Sequence, residues 1–305
     1  MKLDELFVEK YRPSKLEDLI ISDENRTAIE SFGKNVPHLM FCGSQGVGKT
    51  SLAKIIVEDI LGCDFLYINA SDENGVDVIR DKVTGFAQTK SLDGELKVII
   101  LDEADFLTTS AQAILRNLME TYAGTTRFIL TANYKHKIIP ALHSRCQSID
   151  LKPDLKNAIT RCHTILKNEK IVIEKSQLSA LANLVKKHFP DLRKCIHEMQ
   201  KYCSNGVLNI PNKEATDGIC ETILDNIKSS KSLETRTYLI KNDNLFNGDW
   251  ESLMTDLLNH YYKEDMDDIL KKQSILTIAD HLFKMVHVTD REICFFACIL
   301  TLEQL

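Results

Sequence analysis

The chain has 305 residues, enough for about two domains and for a sizeable core without covalent staples. Hydrophobic residues make up 44% and charged residues 27%, as in ordinary globular proteins, and 38 basic against 44 acidic residues give a net charge of −6. That balance excludes a generally basic nucleic-acid coat and leaves a local basic surface open.

Up to about residue 150 the pattern alternates between strands and helices. His38 to Cys42 is a short apolar run ending at glycine, which predicts a buried strand. Leu52 to Leu61 has helical spacing, with Leu52, Ile56 and Ile60 on one face. Phe65 to Asn69 reads as a strand and Val76 to Ala87 as a helix. Lys97 to Leu101 is the most strongly apolar strand. Ser110 is the expected N-cap of a helix through Met119. Arg127 to Thr131 and Gln147 to Leu151 complete the strands. Continuous apolar strands alternating with helices predict an α/β domain whose parallel sheet is covered on both faces. After Pro153 no strand signal of comparable strength follows. Ala158 to Leu166, Leu178 to Val185 and Leu192 to Tyr202 predict three amphipathic helices, punctuated by Ser204-Asn205-Gly206 and Ile210-Pro211-Asn212. From Ala215 onward the pattern stays helical, with breaks near Asn242 to Asn247.

The longest apolar run, Ile293 to Leu300, is far shorter than the roughly 20 residues of a membrane span. Met1 to Lys10 carries charges throughout and has no apolar signal-peptide core. The nine cysteines contain no C-x-x-C pair, so no zinc or thioredoxin motif is expected, and they read as reduced, buried thiols of a cytoplasmic protein.

Gly43 to Thr50 fits G-x-x-x-x-G-K-[ST], preceded by a strand and followed by a helix. Its glycines let backbone N–H groups turn toward phosphates, and the helix N-terminus adds partial positive charge. Lys49 is expected to reach the β- and γ-phosphates and the Thr50 hydroxyl to ligate Mg²⁺. About 50 residues later, Val98 to Leu101 carry a strand into Asp102-Glu103-Ala104-Asp105. Asp102 would hold Mg²⁺ through water, and Glu103 would polarise a water in line with the γ-phosphate. Asn133, ending the next strand, can orient that water or touch the γ-phosphate.

In this order, together with Ser144-Arg145-Cys146, these motifs resemble the AAA+ clamp-loader ATPases. Val8-Glu9-Lys10-Tyr11-Arg12-Pro13, Asn69 to Glu73 and Phe189 to Lys194 are similar to further signatures of that family, so the likeness spans residues 8 to about 205. Lys186 to Lys194 and Ser204 to Leu208 are most similar to the large subunit of T-even-type phage clamp loaders, with replication factor C small subunits next. The resemblance implies an AAA+ P-loop domain at 1–151, a small helical lid at 152–208 and an all-α collar at 209–305. It implies ATP and Mg²⁺ as cofactors. Val8, Glu9, Lys10, Tyr11, Arg12 and Ile20 would line the adenine and ribose pocket, beside Gly46, Val47, Gly48, Lys49, Thr50 and Ser51. Asn133 looks like sensor 1 and Arg193 like sensor 2. Arg145 looks like an arginine finger acting on ATP held by a neighbouring subunit, where a guanidinium stabilises the charge spread over the phosphate oxygens.

The same resemblance points to Arg80, Lys82 and Arg116 as phosphate contacts to primer-template DNA. Asn74 stands where relatives often have an arginine that links DNA to the catalytic glutamate. Phe106 and Leu107 are expected as an exposed apolar contact to a sliding clamp. The implied partners are that clamp, the DNA and other loader subunits, with several copies of this chain and a different small subunit in a pentamer. The expected location is cytoplasmic, in the host if the chain is phage-encoded. Two rivals stay open here: another AAA+ DNA-remodelling ATPase, and a non-hydrolysing structural subunit of the same loader.

Overall fold

The computed structural model describes residues 6–33, 35–89, 96–204, 206–210, 213–246, 248–263 and 266–305. The chain divides into two compact units. The first takes the described residues up to 174 together with 181–208, and the second takes 175–180 and 209–305.

The first unit is built on five strands: β1 Leu39–Cys42, β2 Phe65–Asn69, β3 Lys97–Asp102, β4 Thr126–Ala132 and β5 Gln147–Asp150. All pair in parallel, in the order β2-β3-β4-β1-β5. Every residue of β1 and β3 is buried, because helices cover both faces of the sheet. Side chains alternate between those faces. Met40, Ile99, Leu101, Phe128 and Leu130 pack under Ile79, Val83, Leu115 and Met119. Leu39, Phe41, Val98, Ile100 and Ile129 pack on the other side against Ile29, Leu52, Ile55 and Ile56.

In chain order the helices are α1 Phe7–Lys10, α2 Asp23–Phe32, α3 Lys49–Ile55, α4 Val76–Gln88, α5 Thr109–Thr121, α6 Pro140–His143, α7 Leu155–Asn168, α8 Lys175–His188 and α9 Leu192–Lys201. The helix expected over 52–61 starts at Lys49 as α3 and widens to a π-helix over Ile56–Leu61. Helix α5 begins at Thr109, with the Thr108 side chain accepting the Ala111 N–H at 3.2 Å, so Thr108 and not Ser110 is its cap. After α9 there is a feature the sequence did not signal, a two-residue pairing of β6 Cys203–Ser204 with β7 Val207–Leu208, antiparallel.

The second unit holds α10 Lys213–Lys228, α11 Ser232–Lys241, α12 Asp243–Phe246, α13 Trp250–Lys263, α14 Asp268–Met285 and α15 Arg291–Glu303. Its core is apolar: Ile219, Ile223, Leu253, Leu257, Ile278, Phe295 and Ile299 are buried. Trp250 packs edge-on against Phe246, with ring centroids 4.8 Å apart, and tilts against Phe295 at 5.4 Å. Among the described residues no helix is long and apolar enough to cross a membrane. Seven of the nine cysteines are buried, and Cys63 and Cys203 are half-buried.

Candidate active site

Parallel strands deliver their C-terminal ends to one edge of a sheet, and ligands bind there. The turn between β1 and α3 is the G-x-x-x-x-G-K-T loop. Gly46 and Gly48 have φ of +75° and +97°, which only glycine adopts at little cost. Gly46 has a second constraint: a Cβ there would lie 1.8 Å from Asp191 Oδ1. Asp191 caps α9, its Oδ1 accepting the Lys194 N–H at 3.0 Å, and so sets the start of the helix that carries Arg193.

The polar groups expected from sequence meet across three strands. The Lys49 ammonium, only 7% exposed, donates to Gly43 O at 2.9 Å, to Ser44 O at 2.7 Å and to Asn133 Oδ1 at 2.8 Å. Burial lowers its pKa from the ordinary lysine value, opposed by the carboxylates of Asp102 and Asp105. The Thr50 hydroxyl lies 2.9 and 3.0 Å from the two Asp102 oxygens. A hydroxyl and a buried carboxylate side by side are the hard oxygen donors that Mg²⁺ takes, so these residues fit the ion. Glu103 follows at φ 55°, a left-handed conformation costing a non-glycine residue about 1–2 kcal/mol. It is held there by its own N–H, which donates to Thr131 Oγ1 at 2.9 Å.

Three residues the sequence reading missed complete this network. Thr131, fully buried, donates to Asp102 Oδ1 at 2.6 Å, and Tyr67 donates to Asp102 Oδ2 at 2.7 Å. Burial, then the hydrogen bond to Asp102, raises the Tyr67 pKa, so the phenol keeps its proton. Asp105, 5% exposed, accepts the N–H groups of Asn133 and Tyr134 at 3.1 and 3.3 Å and so ties the acidic turn to the end of β4. Buried Gln112 on α5 does similar work. It donates to Leu107 O and Lys137 O, both at 3.1 Å, and accepts the Ile139 N–H at 2.9 Å.

Above the loop opens a cleft of about 1080 Å³, its mouth included, in the first unit. Val8, Glu9, Tyr11, Arg12, Ile20, Gly46, Val47, Gly48, Lys49, Thr50, Ser51, Asp102, Glu103, Asn133 and Arg193 all line it, as does Thr131. Ala158, Arg161 and Cys162 of α7 supply a wall that no motif announced.

Two expectations need correction. Lys10 does not line the cleft; its ammonium pairs with Glu169 at 2.5 Å, because the short α1 turns that side chain away from Val8 and Glu9. Leu107 is not an exposed contact; it is 5% exposed and packs in the core under α5, whereas Phe106 is 47% exposed. Leu107 packs with Ala111 and Leu115 of α5, and its carbonyl accepts the buried Gln112 amide at 3.1 Å, which fixes this residue inward.

The remaining predicted residues lie outside the cleft. Arg145 follows α6 and is 31% exposed. Its Nε donates to Glu120 Oε1 at 2.9 Å, Nη2 also pairs with Glu120, and Nη1 donates to Ala141 O at 2.7 Å. Arg80 and Lys82 are exposed on α4, Arg80 lying 3.9 Å from Asp77 and Lys82 2.5 Å from Glu73. Arg116 on α5 donates to Asn117 Oδ1 at 2.7 Å.

The family model "ATPase family associated with various cellular activities (AAA)" matches residues 39–153, and that of the "Sliding-clamp-loader large subunit, AAA+ ATPase lid domain" matches residues 150–210. A replication factor C small subunit of Methanoregula boonei is 34% identical over an alignment covering 96% of this chain and 95% of that protein. The chain belongs to the clamp-loader AAA+ ATPases. Two further replication factor C small subunits resemble it more strongly over a shorter stretch. That of Picrophilus torridus is 43% identical over 216 residues, 68% of this chain and 67% of that protein. That of Methanocella arvoryzae is 42% identical over 211 residues, 66% of this chain and 64% of that protein. In these two alignments the clamp-loader ATPase thus spans about two thirds of its relative's length.

Proposed function

We propose that this chain is a DNA-polymerase clamp-loader subunit that hydrolyses ATP in the cleft above Gly43–Thr50, on a signal from primer-template DNA. The observation that carries the reading is the joining of Lys49 to Asn133 and of Thr50 to Asp102 at one sheet edge, with Glu103 beside them. A triphosphate in the loop offers its oxygens to the Lys49 ammonium and to the N–H groups of the α3 N-terminus. Thr50 and Asp102 would hold Mg²⁺, which supplies charge neutralisation of the phosphates. The Glu103 carboxylate accepts the proton of the attacking water, and Asn133 fixes the geometry of Lys49 and of the γ-phosphate. Arg193, at the start of α9, reaches the same phosphates.

Arg145 lies outside its own subunit's cleft, which supports a role toward ATP on a neighbour. Self-assembly finds support in the second unit. Ile269, Leu276 and Phe283 recur every seven residues along α14, 67%, 69% and 69% exposed, and Val286 follows at 68%. We assign residues 209–305 to the collar and residues 152–208 to the lid of a pentamer holding several copies of this chain and a different small subunit. Arg80, Lys82 and Arg116 are the proposed contacts to the DNA backbone, and Phe106 the contact to the sliding clamp. The stretch Lys186 to Lys194 favours the phage-type large subunit, acting in the host cytoplasm.

The test is ATP turnover of the assembled complex with and without clamp and primed DNA. The reading predicts stimulation by both. Glu103→Gln should cut turnover by about 10²–10⁴-fold while ATP stays bound. Unstimulated turnover, or a Glu103→Gln variant that still hydrolyses ATP, would refute it.

A further inference from the structure

Glu169 belongs to none of the motifs, yet the N-terminal segment and helix α7 meet on it. Helix α7 ends at this residue in a tight double turn, with Lys170 N–H donating to Lys167 O at 3.1 Å and Ile171 N–H to Leu166 O at 3.0 Å. Lys170 sits at φ 57°, where glycine is usual, so the turn is retained at a cost of about 1–2 kcal/mol. The turn aims the carboxylate at α1. Its Oε1 accepts the Tyr11 hydroxyl at 2.6 Å and pairs with the Lys10 ammonium at 2.5 Å, and the side chain is only 18% exposed.

The N-terminal segment is also held by α9, where Gln200 Oε1 accepts the Phe7 N–H at 3.0 Å. To α7 itself it is joined a second time by Arg161, which donates to Tyr11 O and to Asp18 Oδ1, both at 3.4 Å. The two elements so joined are two walls of the cleft: Val8, Glu9, Tyr11 and Arg12 on one side, Ala158 and Cys162 on the other. Glu169 itself is not in the lining.

We propose that Glu169 is a positioning residue for the nucleotide: it clasps the N-terminal segment onto α7 and so sets the width of the part of the cleft that takes the nucleoside. This rests on the reading of the cleft as an ATP site. The clasp keeps its charge state near neutral pH. Burial, then the Glu169 hydrogen bond, pushes the Tyr11 phenol up to about 12, and the Lys10 and Tyr11 donors hold the Glu169 carboxyl below its usual range.

The test is equilibrium binding of a fluorescent ATP analogue to the full chain, with inorganic tripolyphosphate as competitor. Tripolyphosphate needs the Gly43–Thr50 loop but no nucleoside wall. Glu169→Ala removes both bonds and should weaken the ATP analogue by about tenfold, while tripolyphosphate binding changes less than about twofold. Glu169→Gln keeps an acceptor for Tyr11 and loses the ion pair, so it should weaken the analogue by about threefold. This milder variant carries the test should Glu169→Ala fail to fold. Unchanged analogue binding, or an equal loss for both ligands, would overturn the proposal. Lys49→Ala controls the underlying reading: it should abolish binding of both ligands. If it does not, the cleft reading fails first and the Glu169 proposal falls with it.

Discussion

The sheet edge of the first unit and the helical core of the second bury opposite kinds of atoms. Lys49, Asp102, Asp105, Gln112 and Thr131 are all buried, and each is hydrogen-bonded to strand ends or loops. Between α10 and α15 the buried side chains are almost all apolar. The one buried side-chain polar atom without a partner among the described residues, Ser232 Oγ, lies in this second unit. An unpaired buried charge costs several kcal/mol, so a fold keeps a charged cluster only where every member is paired or has work to do. The comparison teaches that stability and chemistry are carried by different parts of this chain: apolar burial holds the helical unit, and a polar network is held ready at the sheet edge.

Four substitutions test this division of labour. Arg145→Ala should lower ATP turnover of the assembled complex by about 10³–10⁵-fold and leave ATP binding by the single chain unchanged. Equal turnover with and without this guanidinium would remove the finger from the account. Phe295→Ala, in the core of the second unit, should cost about 3–5 kcal/mol in denaturant unfolding. A loss under 1 kcal/mol would show that apolar burial does not dominate there. Tyr67→Phe strips Asp102 of one donor and should raise the Mg²⁺ concentration needed for half-maximal turnover by about tenfold, read from a Mg²⁺ titration. Ser232→Ala removes an unsatisfied hydroxyl and should stabilise by about 1 kcal/mol, seen as a raised melting temperature. If it destabilises instead, that hydroxyl has a partner in solution.

What the sequence made legible follows from the range of the interactions involved. The strands, the G-x-x-x-x-G-K-T loop and the acidic turn are local patterns, and Lys49, Thr50, Asp102, Glu103 and Asn133 converge because strand order alone brings them to one edge. Thr131, Tyr67 and Asp105 escaped because their roles depend on partners 28 to 35 positions away on other strands. Leu107 was expected at the surface from the resemblance alone, and no local pattern separates its burial under α5 from the exposure of its neighbour Phe106. Lys10 was misread because one turn of α1 sends alternate side chains to different elements, and its partner Glu169 lies far along the chain.

The central claim is that the cradle and the finger come from different subunits. Its most direct measurement is ATP turnover of assembled complexes made from two defective chains, one Lys49→Ala and one Arg145→Ala. Each alone should be inactive. Mixed, they should regain activity, because some interfaces then pair an intact cradle with an intact finger. A mixture as silent as its parents would contradict the account.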